Sequence, residues 1–220
     1  METVIPYKPD ITTITNIVEG KWGVIFAHGE KSRIEEGFFP ILANKLNQKN
    51  ISVIRFTFPF TKDKSIKVDD IQSLDQAFLK VWEWTSKNFP DKKWCVGGHD
   101  IGGETSIRIS SITGDFEELP PVICINYPMY PHNKPELFRQ GSIGALMGDG
   151  LFCQSENSSK GTYDRLKNQL AMMANHAIIT KIVQSDHEFN KMKHPINKVM
   201  YWIAKDIEKF LTNIDKKQQF

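Results

Sequence analysis

The sequence predicts a compact α/β protein with a doubly wound, mostly parallel sheet of about six or seven strands and helices on both faces. Short apolar runs without polar alternation are typical of strands buried on both faces, and here they alternate with longer amphipathic segments. This alternation favours parallel strands joined by crossover helices. The 220 residues contain no internal repeat and no linker-like segment, so we expect one domain over residues 1–220.

Six apolar runs predict the strands. In chain order they cover residues 22–27, 51–58, 94–97, 122–126, 151–154 and 177–183. Pro59 and Pro128 follow the second and fourth runs closely, and proline cannot donate a hydrogen bond to a central strand. We therefore expect these two strands to end before the prolines.

Five segments between the runs predict helices, because their apolar residues recur every three or four positions. They cover residues 38–47, 71 to just before Pro90, 102–112, 163–174 and 195–211. The last segment is the clearest, since Pro195 suits a first helical position and the apolar residues after it share one face. These helices are expected to cover the sheet.

Composition argues against several classes of partner. The 28 basic and 26 acidic side chains give a net charge of +2, so there is no electrostatic reason to expect nucleic acid or an anionic membrane surface. The lysines from Lys160 onward are spread out and are interpreted as a solvated face. A small molecule is the partner that we expect, and the oligomeric state is left open.

The cysteines and the first residues of the chain bear on the cellular compartment in which we expect the protein. Cys95, Cys124 and Cys153 fall in predicted strands, and unpaired core thiols favour a reducing environment. The first ten residues lack a signal-peptide pattern, and no apolar run approaches the ~18 residues of a membrane helix. We therefore expect a cytoplasmic protein. The sequence contains no cofactor motif and no credible metal-ligand spacing, so no cofactor or metal is expected.

The segment from Trp94 to Gly103 carries the strongest functional signal. Its Gly98-His99-Asp100-Ile101-Gly102 portion has the spacing G-x-nucleophile-x-G. In such an elbow a strand turns sharply into a helix and presents the central side chain above the sheet edge. That residue is usually serine, whereas here it is Asp100. The alternative is that Asp100 only caps the following helix.

Backbone donors for an oxyanion are expected from Glu30, in the loop after the first predicted strand, and from Ile101. His28 in that loop is interpreted as a residue that orders the loop through a hydrogen bond, and His99 as one that packs beside the nucleophile. If Glu30 lies near Asp100, the two like charges should raise the pKa of one carboxyl group.

A base is expected from a later strand end, and His187 follows the sixth apolar run directly. The alternatives are a surface histidine or one bound to its acidic neighbours. His132, His176 and His194 lie in loop or helix-edge contexts and are weaker candidates. Glu156, the one carboxylate in the segment after the fifth run, is the candidate acid that would orient His187, and a solvated loop residue is the competing interpretation.

Taken together, these motifs resemble the α/β-hydrolase superfamily, and most closely its compact dienelactone-hydrolase-like members. Ala27-His28-Gly29 is similar to the first loop of that group, and Val53 to Phe60 resembles its R-F-N-F-P-Y segment. Tyr127 to Pro131 with Lys134-Pro135-Glu136 resembles its Y-P-L-x-P…K-P-E loop, and Asp186-His187 its D-H. The resemblance implies an α/β-hydrolase fold without a large cap.

Two positions depart from the family pattern. Asp100 stands where the family has serine, and Ser158 falls where it has its acid, so the resemblance implies that only His187 of the triad is retained. The elbow also resembles the G-H-D-W-G-G of epoxide hydrolases, and haloalkane dehalogenases use aspartate there too. Those enzymes form an alkyl-enzyme ester that a His-activated water hydrolyses.

The sequence thus predicts a small-molecule hydrolase with an Asp100 nucleophile and a His187 base. The phenols of Tyr127 and Tyr130 are candidate donors to a substrate, because too few residues separate the fourth and fifth strands for a full cap. The alternative function is a catalytically degenerate homologue that binds a ligand or protein without turnover.

Overall fold

The structure is a computed structural model that describes all residues except 66, 69, 114–117, 131–135, 138–141, 175 and 219–220. His132, Pro131 and the Lys134-Pro135 pair of the family-like loop lie outside the described residues. The strands are β1 (Glu2–Ile5), β2 (Ile11–Asn16), β3 (Trp22–Ala27), β4 (Ser52–Phe56), β5 (Lys93–His99), β6 (Val122–Ile125), β7 (Gly150–Asn157) and β8 (Ile178–Asp186). The helices are α1 (Phe38–Asn47), α2 (Ile71–Asn88), α3 (Ile101–Thr113), α4 (Tyr163–Met173) and α5 (Ile196–Lys217).

All eight strands form one sheet in the order β1-β2-β4-β3-β5-β6-β7-β8. The pairs from β4 to β8 are parallel, whereas β1 and β2 add an antiparallel edge. The prediction of an α/β protein with a mostly parallel sheet is therefore confirmed. The six predicted strands and five predicted helices are all present, with ends that differ by a few residues.

The sequence did not predict β1 and β2. In β2, buried and half-buried residues alternate, and the buried positions are Ile11, Thr13 and Thr15. Two of these three inward residues are threonines, so the strand has no continuous apolar run. This pattern is ordinary for β2, because antiparallel strands commonly bury one face only.

Helices cover both faces of the sheet. On one face, buried side chains of α2, α3 and α4 pack in a single apolar cluster with the strands. On the other, α1 and α5 pack together over a second cluster. The amphipathic stripe of α5 is buried at Val199, Ile203, Ile207 and Leu211, as the three- and four-residue spacing predicts. Within the described part of the chain, every helix is too short or too polar to cross a lipid bilayer.

The parallel arrangement positions the functional loops. Because β3 to β8 run in the same direction, their carboxyl ends meet at one edge of the sheet. The loop after β3 is held there by Arg55 of the R-F-T-F-P segment, whose buried guanidinium donates to the Ile34 carbonyl and to Asn16 Oδ1. The family-like segment therefore has a structural role beside the site.

Candidate active site

Asp100 occupies the sharp turn between β5 and α3. Its φ angle of 54° lies in the left-handed region, which is strained for a residue other than glycine. A Cβ on Gly98 would overlap the Gly102 backbone, and one on Gly102 would lie 2.5 Å from the Ala27 carbonyl oxygen. Only glycine fits this crossing of strand and helix, as the elbow interpretation predicts. The Asp100 carboxylate does not extend along α3 as a cap would, but contacts the neighbouring loops.

His187 follows β8 and approaches Asp100 across the carboxyl ends of the parallel strands. Its Nε2 atom lies 3.3 Å from Asp100 Oδ1. The Asp100 and His187 side chains are 0% and 2% exposed. Neither of these two atoms has a hydrogen-bond partner among the residues that the structure describes. A buried carboxylate oxygen and a buried imidazole nitrogen thus face each other with unused hydrogen-bonding capacity.

The structure places Ser158, and not Glu156, beside the imidazole. Ser158 Oγ lies 2.8 Å from His187 Nδ1. Glu156 instead accepts a hydrogen bond from the Gln184 backbone N–H at 2.9 Å and lies 3.6 Å from Lys181 Nζ. The expectation that Glu156 orients His187 is therefore wrong. β7 continues to Asn157, so Glu156 is still within the strand and is directed toward its partner β8.

Lys160 is a residue of the site, although its surroundings in the sequence predict a solvated side chain. Its side chain is 6% exposed, and its Nζ lies 2.8 Å from Asp100 Oδ2 and 3.2 Å from Glu30 Oε2. The interpretation of this lysine as part of a solvated face is wrong. The signal that could have located it is its place two residues after Ser158, in the turn that follows a predicted strand.

The charges around Asp100 determine its ionisation. Burial alone would raise the pKa of the Asp100 carboxyl, but His187 and the Lys160 ammonium outweigh burial and hold that pKa below its usual value. Burial likewise opposes the charge of Lys160, yet Asp100 and Glu30 raise its pKa above the ordinary value. We expected Glu30 to repel Asp100 and to raise the pKa of one carboxyl group. The pKa of Asp100 is not raised, because the Lys160 ammonium contacts both carboxylates.

The loop after β3 contacts Asp100 through its backbone. The Glu30 N–H donates to Asp100 Oδ2 at 3.2 Å. His28 orders this loop as predicted: its Nδ1 lies 2.6 Å from the Gly29 carbonyl, and its Nε2 accepts from the Phe58 N–H at 2.9 Å. Burial lowers the pKa of His28 to about 4, so this imidazole is neutral at pH 7. The roles of Glu30 and Ile101 as oxyanion donors both stay predictions.

A hydrogen-bond relay fixes the backbone of His187. Its carbonyl accepts from Asn126 Nδ2 at 2.7 Å and lies 2.9 Å from His99 Nε2. Since a carbonyl only accepts, His99 Nε2 must carry the proton and its Nδ1 must accept, which the Ser32 hydroxyl satisfies at 3.2 Å. Burial lowers the pKa of His99 to about 3. His99 therefore packs beside the site, as predicted, and also positions His187.

Two predicted substrate contacts gain no support from their surroundings. Tyr127 is fully buried against Phe152, and burial raises the pKa of its phenol. Tyr130 is also buried and stacks with the guanidinium of Arg165 at 5.1 Å. Contact between either phenol and a substrate stays a prediction.

Glu188 is a further acidic neighbour that the sequence analysis did not single out. Asp100, His187 and Glu188 each offer one potential metal-ligand atom, and these atoms lie within 4.8 Å of one another. Burial raises the pKa of Glu188, and the charge of Asp100 adds to that effect. The Lys160 ammonium on Asp100 supplies positive charge at this position, so a divalent cation would meet electrostatic repulsion there.

Comparisons with known proteins agree with this fold. A family model described as an alpha/beta hydrolase domain matches residues 20–212. A search of curated proteins gave no match. Solved structures with a similar fold include an alpha-beta serine hydrolase homologue from Coxiella burnetii, with a TM-score of 0.74 at 11% identity over 94% of this chain and 96% of that one.

Two further structures share the fold at similarly low identity. A dienelactone hydrolase from Anabaena variabilis has a TM-score of 0.73 at 14% identity, covering 97% of this chain and 96% of its own. An esterase from Pyrococcus furiosus has a TM-score of 0.75 at 12% identity, covering 97% and 91%. At these identities the similarity establishes the architecture.

Proposed function

Because the chain belongs to the alpha/beta hydrolase domain family, we propose that it is a small-molecule hydrolase in which Asp100 attacks the substrate and His187 activates water. The observation that supports this proposal most is the 3.3 Å approach of His187 Nε2 to Asp100 Oδ1. One oxygen of the carboxylate, Oδ2, is bound by the Glu30 N–H and by Lys160. The other oxygen, Oδ1, faces His187 Nε2 and has no hydrogen-bond partner among the described residues, so we assign it as the nucleophile.

The chemistry of a carboxylate selects the substrate class. Attack on an ordinary ester would give an anhydride, which is a poor intermediate. Attack on a saturated carbon that carries a halide or an epoxide oxygen gives a stable alkyl ester of Asp100, with the electrons of the broken bond leaving on the halide or oxygen. Small electrophiles of these two kinds are therefore the proposed substrates.

The proposed base requires one tautomer of His187. To take a proton from water, Nε2 must carry the lone pair, so Nδ1–H must donate to Ser158 Oγ. A hydroxyl can also donate to Nδ1, and that arrangement places the proton on Nε2. Serine therefore permits both tautomers, whereas a carboxylate would favour the productive one.

Substrate binding requires the site to open. Asp100, His187 and Lys160 are all nearly inaccessible to solvent, and the Lys160 to Glu30 ion pair joins the loops after β7 and β3 above the carboxylate. A cavity of about 290 Å³ lies beside this bridge, lined by Glu30, Lys31, Arg33 and Phe60 among others. Movement of the loop after β3 would connect that cavity to the nucleophile.

A single-turnover experiment in ¹⁸O-labelled water tests the proposal. The substrates would be glycidyl 4-nitrophenyl ether, 2-chloropropionate and 4-nitrophenyl acetate, and the mass of the peptide that holds Asp100 would be measured. We expect ¹⁸O in the Asp100 carboxylate with the epoxide or the haloacid, and none in Asp100→Asn.

Other results would contradict the proposal. Turnover without label would mean that His187 directs water onto the substrate itself. The absence of both turnover and label across the panel would favour the ligand-binding alternative.

A further inference from the structure

Lys160 is held in place by its own turn as well as by its charge partners. Its carbonyl accepts from the Met129 N–H at 2.7 Å, and its N–H donates to Ser158 Oγ at 3.3 Å. The next residue, Gly161, accepts from Gln154 Nε2 at 2.6 Å. The backbone that carries the ammonium is therefore fixed to β7 and to the segment after β6. Of the two Asp100 carboxylate oxygens, Nζ contacts Oδ2.

That oxygen changes charge during the proposed reaction. It shares the negative charge of the carboxylate before attack, and it becomes the neutral carbonyl oxygen once Oδ1 is alkylated. It becomes a full oxyanion when water adds to the ester carbon. A fixed cation at this oxygen stabilises charge where it develops in the second half-reaction.

We propose that Lys160 is a catalytic residue that stabilises the oxyanion on Asp100 Oδ2 while the alkyl-enzyme ester is hydrolysed. This inference rests on the proposed function of Asp100 as nucleophile. The inference is supported by the buried 2.8 Å contact between Lys160 Nζ and Asp100 Oδ2. It is also supported by the Glu30 N–H, which donates to the same oxygen. The elbow segment from Gly98 to Gly102 contains no lysine or arginine, so the cation comes from another part of the chain.

His187 Nε2 takes a proton from water, the resulting hydroxide forms a bond to Cγ of Asp100, and the carbonyl electron pair moves onto Oδ2. Collapse of this intermediate breaks the bond between Cγ and the alkyl oxygen, and the leaving alkoxide takes the proton from His187. Lys160 keeps its proton throughout and acts only through its charge and hydrogen bond.

Glu30 explains how the cation stays in place when Asp100 is neutral. After alkylation, Lys160 loses its charged partner at Oδ2 but keeps the Glu30 carboxylate at 3.2 Å. A buried ammonium without any anion would be strongly disfavoured. The second carboxylate therefore maintains the charged state of Lys160 between the two half-reactions.

The test separates formation of the adduct from its hydrolysis. Wild type, Lys160→Met and Lys160→Arg would be mixed with glycidyl 4-nitrophenyl ether, and intact mass and product release would be followed over time. In Lys160→Met we expect adduct on the Asp100 peptide to accumulate to one per chain, while product release falls about a hundredfold. Lys160→Arg keeps the charge and should release product faster than Lys160→Met. Lys181→Met is the control and should behave as wild type. It removes a lysine of β8 that is paired with Glu156.

The outcomes distinguish this inference from the function on which it rests. If wild type neither turns over nor gains label, the Asp100 mechanism fails and the role of Lys160 fails with it. If wild type is active and folded Lys160→Met forms and releases product at wild-type rates, only the inference about Lys160 is wrong. Loss of adduct formation in folded Lys160→Met would also overturn it, because Lys160 would then act in the attack. If Lys160→Met does not fold, Lys160→Gln compared with Lys160→Arg gives the same separation.

Discussion

The Nζ atom of Lys160 lies 2.8 Å from Oδ2 of Asp100, and both side chains are buried. The two residues are 60 positions apart in the chain and come from the ends of β5 and β7. Their ion pair neutralises a carboxylate that would otherwise be isolated in the protein interior. It also makes the stability of the fold and the chemistry of the site depend on the same contact.

A double-mutant cycle on this pair tests the first of these dependences. Lys160→Met should lower the free energy of unfolding by about 3 kcal/mol, because it leaves the buried Asp100 carboxylate without its cation. Asp100→Asn should lower it by less, because Lys160 keeps the Glu30 carboxylate as a partner. The double variant should lose less than the sum, since no unpaired charge remains. Urea unfolding at pH 7 measures all four proteins, and strictly additive losses would show that the pair is not coupled.

Ser158 variants test the tautomer argument. Ser158→Asp places a carboxylate at His187 Nδ1 and fixes the lone pair on Nε2. It should therefore raise the rate at which the alkyl ester of Asp100 is hydrolysed about tenfold. Ser158→Asn, a neutral residue of similar size to aspartate, is the control and should give no such gain. The measurement is the decay rate of the Asp100 adduct, and equal rates in the Asp and Asn variants would contradict the argument.

Gly29 is predicted to be intolerant of a side chain. A Cβ there would lie 2.6 Å from Asp100 Cβ and 2.7 Å from His99 Nδ1, so Gly29→Ala should destabilise the fold by about 2 kcal/mol and displace the Glu30 N–H. Gly144→Ala is the matched control, since among the described residues its Cβ would meet only the flexible end of Met173, at 3.2 Å. If urea unfolding shows equal stability for the two variants, the packing argument does not hold.

The buried imidazoles predict a loss of stability in mild acid. The pKa values of His28 and His99 are lowered to about 4 and about 3, whereas unfolded histidine titrates near 6.5. As the pH falls below 6.5, the unfolded chain binds protons that the folded protein does not, so the free energy of unfolding decreases. At pH 5 the loss is about 2 kcal/mol per histidine.

Removing one of these imidazoles checks the sign and the size of this effect. His28→Gln should unfold with a shallower dependence on pH between 7 and 5 than wild type does, because one titrating group is absent. The free energy of unfolding at several pH values gives the slope. A slope unchanged by the substitution would mean that His28 is not held neutral in the folded state.

Much of the fold follows from local patterns in the sequence. The central strands are continuous apolar runs, and the helices have apolar residues at regular spacing, so both were predictable. β1 and β2 were not, because the inward threonines of β2 give no apolar run. The prediction that residues 1–220 form one domain stays a prediction.

The site was predictable only in part. Asp100 and His187 each follow a strand, and the parallel sheet brings such positions together. Glu156 was a wrong choice because β7 is three residues longer at its end than its apolar run, with an irregular register near Ser155. The burial of Lys160 depends on a carboxylate far away in the chain, and local composition does not report such a partner.

The three cysteine thiols have a practical consequence for covalent chemistry on this protein. Cys95, Cys124 and Cys153 are all buried, and burial raises the pKa of each thiol. Since the thiolate is the reactive form, electrophilic probes at neutral pH encounter little competition from cysteine in the folded protein. A stoichiometric mass increase can therefore be assigned to a peptide without first blocking or replacing any cysteine.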